Sequence, residues 1–184
     1  MTLRQWTDAD RAPFAELNAD PVAMEHFVAP LTRAESDAMV DRLHQMIEQR
    51  GWGFWCLEID GACAGFTGIS APGFEASFMP CVEIGWRLLP RLWRRGYASE
   101  AARLALAYGF DDLALDEIVA FTAVANQRSR AVMERIGTTY DPSFDFDHPK
   151  VPVGHRVRRH VLYRIGRPGT RVRLRPNGGT RSDF

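Results

Sequence analysis

The stretch VEIGWRLLPRLWRRGYASEAA, residues 82–102, is the part of the sequence around which the predicted elements are arranged. Its first eight residues are mostly apolar and predict a buried strand, which Pro90 ends because proline has no N–H to donate. A helix is predicted to open at Gly96, with apolar residues at helical spacing after it: Ala101, Leu104, Ala105 and Tyr108. A basic loop leading into a helix start is an anion site, because the first N–H groups lack partners and the helix dipole is positive there. We expect this turn to hold the pyrophosphate of a coenzyme.

The composition is that of one globular domain with a sizeable core, since 46% of the 184 residues are hydrophobic and 25% are charged. No apolar run reaches the length of a membrane span, and the start, MTLRQWTDAD, is not an apolar signal segment. We therefore expect a cytoplasmic protein without a membrane partner. The three cysteines, Cys56, Cys63 and Cys81, lack metal-ligand spacing, which favours buried thiols over a metal site or a reactive thiol.

The charges are unevenly distributed, although the formal net charge is zero. Residues 1–80 carry 5 arginines and 12 carboxylates, a net charge of −7, whereas residues 81–184 carry 18 basic and 11 acidic residues, a net charge of +7. A polyphosphate cofactor on the basic half and a cationic substrate near the acidic half would fit this asymmetry. Surface solubility is the alternative, and for the acidic half it is at least as good an explanation.

Local signals place the other elements. Thr32 and Glu35 have the spacing of a capping box that opens a helix, and Asp60-Gly61 between two apolar runs predicts a hairpin. The predicted elements outside residues 82–102 are, in chain order, a strand at 3–6, a helix ending at 20–21, a helix from 32 to about 51, hairpin strands at 54–59 and 62–70, a strand at 117–124, a helix at 126–136 and a strand at 158–165. Residues 138–150 are predicted to form a polar loop.

The last residues, RPGTRVRLRPNGGTRSDF at 167–184, lack apolar periodicity and contain several prolines and glycines. They predict a flexible basic tail appended to a single domain of residues 1–166. Its arginines leave an acidic partner or nucleic acid open. A solvated tail is favoured, and we do not expect nucleic-acid binding.

Three motifs follow one another at characteristic positions. GYASEA at 96–101 comes after the strand EIGWRLLP, an N-x-x-S sequence formed by Asn126 and Ser129 comes after the next strand, and MERIG at 133–137 closes the next helix. Together they resemble the GNAT superfamily of N-acetyltransferases, most closely its RimJ/RimL-like branch, over about residues 2–166. The resemblance implies an α/β fold, a mixed, mostly antiparallel and splayed sheet flanked by helices on both faces.

The resemblance also implies acetyl-CoA, or another acyl-CoA, as cosubstrate, and no metal. Gly96 and Ala98 fit the last two elements of the family's loop pattern, whereas Trp93 occupies its first position. Backbone N–H groups of the loop would cradle the pyrophosphate, with arginine charge beside them. The loop residues implied in cofactor binding are Arg94, Arg95, Gly96, Tyr97, Ala98 and Ser99.

Pantetheine is expected on the strand before the loop and on the helix after the next strand. By resemblance it pairs with the open backbone edge at Trp86, Arg87 and Leu88, the alternative being a fully paired strand. Asn126 has the position of a helix N-cap, where asparagine is preferred, and by resemblance it also bonds to pantetheine. Both roles can hold together.

The catalytic residues are less well indicated. In many GNAT enzymes a tyrosine acts as the general acid that protonates the leaving thiolate, and Met133 occupies the matching position here. The resemblance therefore implies Ser129 or an ordered water as the acid. Glu83 is a candidate base, and the alternative is a structural carboxylate that pairs with Arg87 or with a neighbouring strand.

The DFDHP loop offers two further candidate bases, Asp147 and His148, which fall by rough alignment where a RimL-like enzyme carries a loop glutamate. A role in turn formation is slightly favoured for either one. Lone histidines are more often structural, which makes the others, His26, His155 and His160, weaker candidates.

The expected function is transfer of an acetyl or other short acyl group from acyl-CoA to a primary amine. The acceptor could be a protein N-terminal amine, or a small amine such as a polyamine, an amino acid or an aminoglycoside-like compound. A non-catalytic CoA-binding module is the alternative. Residues 20–35 and 140–155 are expected to build the acceptor pocket, and homodimer formation stays open.

Overall fold

The computed structural model describes residues 1–169. Its strands are β1 (Thr2–Arg4), β2 (Phe54–Ile59), β3 (Ala62–Ser70), β4 (Glu83–Leu88), β5 (Glu117–Ala123), β6 (Thr139–Tyr140), β7 (Phe146–Asp147) and β8 (Arg159–Gly166). Its helices are α1 (Arg11–Ala19), α2 (Arg33–Arg50), α3 (Tyr97–Asp111) and α4 (Gln127–Arg135). Short 3-10 turns occupy Asp8–Asp10, Pro90–Leu92 and Pro142–Phe144.

The strands form one sheet in the order β1-β2-β3-β4-β5-β8-β6, with β7 also paired to β8. All neighbouring strands are antiparallel except β4 and β5, which are parallel. Apolar side chains form two main clusters, one joining Ile84 to α3 and α4, the other joining Phe66 to α1 and α2. Helices therefore cover both faces of a mixed, mostly antiparallel sheet, and the predicted fold class is confirmed.

The elements with strong local signals form where they were expected. The hairpin has the predicted strands β2 and β3, joined by Asp60 and Gly61. At the start of α2 the Thr32 N–H donates to Glu35 Oε2 over 2.8 Å, and the Glu35 N–H donates to Thr32 Oγ1 over 3.3 Å. Gly51, with φ of 78°, ends α2 in the left-handed conformation that glycine adopts without steric cost.

Two predicted segments differ from the structure. Residues 138–150 are not wholly a loop, because β6 and β7 pair with β8, and two-residue strands are too short to show an alternating pattern in sequence. The first strand ends at Arg4 and not at residue 6. The Trp6 indole is instead buried in the core, where its N–H donates to the Phe54 carbonyl over 2.7 Å.

The predicted tail starts at the end of the described range. The backbone N–H of Arg167 still donates to the Asp116 carbonyl over 2.9 Å, while residues 170–184 of the predicted tail lie outside the described residues. Within residues 1–169, no helix combines the length and the apolar character needed to cross a membrane.

Candidate active site

The only parallel strand pair in residues 1–169, β4 and β5, separates almost where it begins. Glu83 pairs with Val119, and the Val119 N–H donates to the Val82 carbonyl over 2.9 Å. On its other side β4 pairs with β3 along its whole length, from Glu83 to Leu88. The Val82 carbonyl points to β5 and backbone groups alternate sides along a strand, so the Ile84 carbonyl, the Trp86 N–H and carbonyl and the Leu88 N–H face the gap between β4 and β5, whereas the backbone groups of Arg87 point to β3. An extended ligand can fill this gap as an added strand.

The loop after β4 leads directly to the N-terminus of α3. Gly96 is the N-cap with φ of 86°, and Arg94 has φ of 62°, so the backbone turns sharply before the first helical N–H groups. The Trp93 indole N–H donates to the Leu88 carbonyl over 2.8 Å and ties the loop to the end of β4. The Arg128 guanidinium lies 4.6 Å from the centre of the Trp93 ring and links the loop to α4.

A cavity of about 760 Å³ extends along this gap. It brings together most of the residues predicted for the site: Glu83, Trp86, Arg87, Leu88, Arg94, Gly96, Tyr97, Ala98, Ser99, Asn126, Ser129 and His148. Two predicted residues do not line it. The Arg95 side chain is exposed beside the loop, and Asp147 lies at the surface.

The Asn126 side chain makes two hydrogen bonds within the protein. Its Oδ1 accepts the Ser129 N–H over 3.1 Å, and its Nδ2 donates to the Thr122 hydroxyl over 2.9 Å. The asparagine thus caps α4 and joins it to β5. One N–H of the amide still has no acceptor in residues 1–169, and Ser129 is placed in the first turn of α4 at the cavity wall.

Glu83 lies at the point where the two strands part. No hydrogen bond or ion pair of its carboxylate occurs among residues 1–169, and the expected partner, Arg87, bonds to Asn18 instead. Burial raises the pKa of Glu83 to about 7, and the nearby charge of Lys150 acts in the opposite direction. A carboxyl group with a pKa near 7 is ionised in a large part of the molecules at neutral pH, and this ionised form can accept a proton from an amine.

The two candidates from the DFDHP loop are placed differently. The Asp147 carboxylate faces Arg158 and Arg159 at 3.4 and 3.5 Å, away from the cavity. His148 does line the cavity, but burial, and then the charges of His160 and Lys150, lower its pKa to about 4. At neutral pH His148 is an uncharged ring in an aromatic cluster, 4.7 Å from Phe74 between ring centres.

His160 lines the cavity, although the sequence indicates it only as a weak candidate. Its Nδ1 lies 3.1 Å from the Arg158 carbonyl and must carry the proton, so Nε2 holds the lone pair. Burial lowers the pKa of this histidine. The register of β8 places it opposite Ala123, beside the end of β5, and no local sequence pattern indicates that pairing.

The cavity is lined mainly by basic side chains, which does not agree with the suggestion that the acidic half of the chain binds a cationic substrate there. Its described lining contains one carboxylate, Glu83, and five basic side chains: Arg87, Arg94, Arg128, Arg135 and Lys150. The excess of carboxylates in residues 1–80 is therefore not directed at this cavity. The basic groups near α3 and α4 suit a polyphosphate.

Asp10, Cys56 and Cys63 form a second buried cluster, with ligand atoms within 4.8 Å of one another. Arg4 donates to both oxygens of Asp10 over 2.7 and 2.8 Å, and the Thr7 N–H donates over 2.8 Å. The carboxylate is already fully hydrogen-bonded inside the protein. We therefore assign the cluster a structural role.

Known proteins share this architecture. The family described as "Acetyltransferase (GNAT) domain" matches residues 1–139. The FsC-acetyl coenzyme A-N(2)-transacetylase of Aspergillus fumigatus is 34% identical over 102 residues, which cover 51% of this chain and less than half, 43%, of that protein. A crystal structure of an acetyltransferase from Agrobacterium tumefaciens superposes with a TM-score of 0.70 at 28% identity and covers 90% of each chain. RimL, a ribosomal L7/L12 α-N-protein acetyltransferase solved with coenzyme A, shares the fold at 18% identity, with a TM-score of 0.70 over 90% of this chain and 93% of its own.

Proposed function

The chain belongs to the GNAT acetyltransferase family, and we propose that it moves an acetyl or other short acyl group from acyl-CoA to a primary amine by direct attack. Its GNAT domain is that of an acetyl-CoA-dependent N-acyltransferase. The proposal adds the residues that hold the cosubstrate and move the protons. The two acceptor classes proposed are a protein N-terminal amine and a small-molecule amine.

The observation that carries this proposal is the open edge of β4, which runs into the N-terminus of α3 inside one cavity. The Ile84 carbonyl, the Trp86 N–H and carbonyl and the Leu88 N–H would bind pantetheine as an added strand, since they face the gap and have no strand partner there. The N–H groups of residues 94–99 and the Arg94 charge would bind the pyrophosphate. The residues present thus fit an acyl-CoA, whose thioester would supply an activated acyl group when bound.

We assign the general base to Glu83. An amine is protonated at neutral pH and must lose a proton before its lone pair can form the new C–N bond. Glu83 lines the cavity where β4 and β5 separate, and burial brings its pKa to about 7, close to the value at which a general base works best. Its carboxylate takes the amine proton directly or through one water.

Ser129 is the candidate for the general acid. As the C–S bond breaks, the leaving thiolate needs a proton, and the serine hydroxyl is a donor in the first turn of α4. Met133, one turn later, is buried and carries no proton to give. Asn126 fixes the position of Ser129 by accepting its backbone N–H.

Calorimetry and thiol release together test this function. We expect acetyl-CoA to bind the purified protein in a calorimeter, and amine panels of N-terminal peptides and small amines to stimulate release of free thiol from acetyl-CoA. Tight binding of acetyl-CoA with no stimulation by any amine would favour the alternative of a non-catalytic CoA-binding module. Absence of CoA binding would refute both.

A further inference from the structure

Arg87 has an unusual environment for a charged side chain. It projects from β4 and lines the cavity together with Phe27 and Phe66. Its guanidinium carbon lies 4.0 Å from the centre of the Phe27 ring and 5.4 Å from that of Phe66. The arginine is therefore sandwiched between apolar groups at the wall of the cavity.

No carboxylate in residues 1–169 pairs with this arginine. Its only hydrogen bond there runs from Nη1 to Asn18 Oδ1, and Nε is buried without any acceptor. Burial lowers the pKa of Arg87 to about 10, so the side chain remains charged at neutral pH. A buried charge is costly unless an opposite charge and hydrogen bonds compensate for it, and here the anion is missing.

Contacts with Asn18 and Phe27 fix the position of the Arg87 guanidinium. Asn18 is fully buried and donates its amide to Ser36 Oγ over 2.9 Å, which turns its oxygen toward Arg87. Phe27 covers one face of the guanidinium, so an acceptor can reach it only in the plane of its N–H groups. With Nη1 committed to Asn18 and Nε enclosed by the protein, Nη2 is the nitrogen left to meet an acceptor from the cavity. A guanidinium N–H makes a strong, charge-assisted hydrogen bond to a carboxylate oxygen.

We propose that the acceptor is a small amine that also carries a carboxylate, and that Arg87 binds this carboxylate while the amine reaches the thioester. This inference rests on the proposed acyl transfer and names its substrate class. Polyamines are disfavoured, because a polycation would meet Arg87 and Lys150 with Glu83 as the one carboxylate in the described lining. The proposed compounds are amino acids and related amines.

Acceptor pairs that differ only in the carboxylate test the proposal. Suitable pairs are phenylalanine with phenethylamine and lysine with cadaverine, each assayed for kcat/KM with saturating acetyl-CoA. The wild-type protein should prefer the carboxylate member of a pair by roughly 10-fold or more, the effect of a charge-assisted hydrogen bond. In Arg87→Gln this preference should fall toward one. Arg33→Gln, which removes an exposed arginine of α2, should keep the wild-type preference.

Binding separates a failure of this inference from a failure of acyl transfer. If no amine is acetylated, the proposed function fails, but calorimetry with the CoA-bound protein still measures whether the carboxylate members bind more tightly. If they do in the wild type and not in Arg87→Gln, the carboxylate site stands. If Arg87→Gln does not fold, Arg87→Met, which also removes the charge, takes its place, and the wild-type preference itself still decides. Equal or inverted preference in the wild type, or an unchanged preference in a folded variant, would overturn the proposal.

Discussion

At the scale of single residues, Glu83 combines a position in the cavity with a pKa that burial raises to about 7. We expect Glu83→Gln to lower kcat/KM by about 10²–10⁴-fold, because the amide keeps the shape of the side chain but cannot accept a proton. The wild-type kcat/KM should rise with pH through a pKa near 7, as Glu83 loses its proton. This limb should be absent from the pH profile of the variant, while the Kd for acetyl-CoA stays the same.

Glu48→Gln is the matched control for this substitution, since Glu48 is an exposed carboxylate of α2. It should behave as the wild type in rate and pH profile. If Glu83→Gln retains both the rate and the limb near pH 7, then Glu83 is not the base. His160, another buried titratable residue that lines the cavity beside β5, would then be the next residue to replace.

At the scale of elements, the start of α3 is where a single glycine decides cosubstrate binding. A Cβ at Gly96 would meet no atom within 4 Å, so the cost of substitution comes from φ of 86° alone. Gly96→Asp should all but abolish CoA binding, because a carboxylate would lie where the pyrophosphate is expected. The measurement is the Kd for CoA by calorimetry, with the Tm recorded for each variant.

Gly96→Asn separates charge from backbone strain at this position. Asparagine has nearly the same shape as aspartate and tolerates a positive φ about as well, but it carries no charge. It should bind CoA at least about 10-fold more tightly than Gly96→Asp, with the difference shrinking as salt is added. Normal CoA binding by Gly96→Asp would refute the assignment of the pyrophosphate to this helix start.

The N-cap of α4 has a structural and a binding role that two substitutions can separate. Asn126→Ala removes the acceptor of the Ser129 N–H and should cost about 1 kcal/mol, which lowers the Tm by roughly 2–4 °C in a protein of this size. It should also lower turnover, because Ser129 loses its fixed position. Asn126→Asp keeps the cap and should keep the Tm.

The Asn126→Asp variant nevertheless loses both amide N–H donors. Its affinity for CoA should therefore fall although its stability does not, if the free N–H contacts pantetheine. An Asn126→Asp protein that is stable and binds CoA normally would leave this residue with its capping role only. Thermal unfolding and calorimetry on the same preparations distinguish these results.

The elements could be predicted where short-range signals define them. The Asp60-Gly61 turn, the Thr32 capping box and Gly96 before α3 each act within a few residues, and these elements form as expected. β6 and β7 could not be predicted, because two-residue strands exist only through their pairing with β8. The residues of β6 and β7 do not indicate that β8 is their partner, because β8 lies further along the chain.

At the scale of the whole molecule, the same distinction separates two groups of cavity residues. The β4 edge and the α3 start are continuous in sequence, so the cosubstrate region could be proposed from one stretch of residues. Other features of the cavity depend on contacts between segments far apart in the chain, such as that of Arg87 with Asn18 and that of β8, which carries His160, with β5. The roles of Arg87 and His160 therefore emerged only from the fold. Asp147, chosen by alignment, turns instead to Arg158 and Arg159.

The aromatic cluster between the sheet and residues 140–150 gives the protein a pH dependence of stability. His148 has a folded pKa of about 4, below its ordinary value of 6.5, because burial disfavours its charged form. Between these values the unfolded chain binds more protons than the folded one. The contribution of His148 to stability is thus complete above pH 6.5 and is lost as the pH falls toward 4.

Replacement of His148 by phenylalanine should remove this dependence and keep an aromatic ring against Phe74. In urea unfolding at pH 7.5 and pH 4.5, the wild type should lose more stability than His148→Phe, by about 1 kcal/mol, because His148 is only half-buried and solvent screening reduces the full effect of the pKa change. Phe110→Leu perturbs the core away from this cluster, so its stability relative to the wild type should differ equally at both pH values. If the wild type and His148→Phe lose the same stability on acidification, then burial of this histidine does not control the acid sensitivity of the fold.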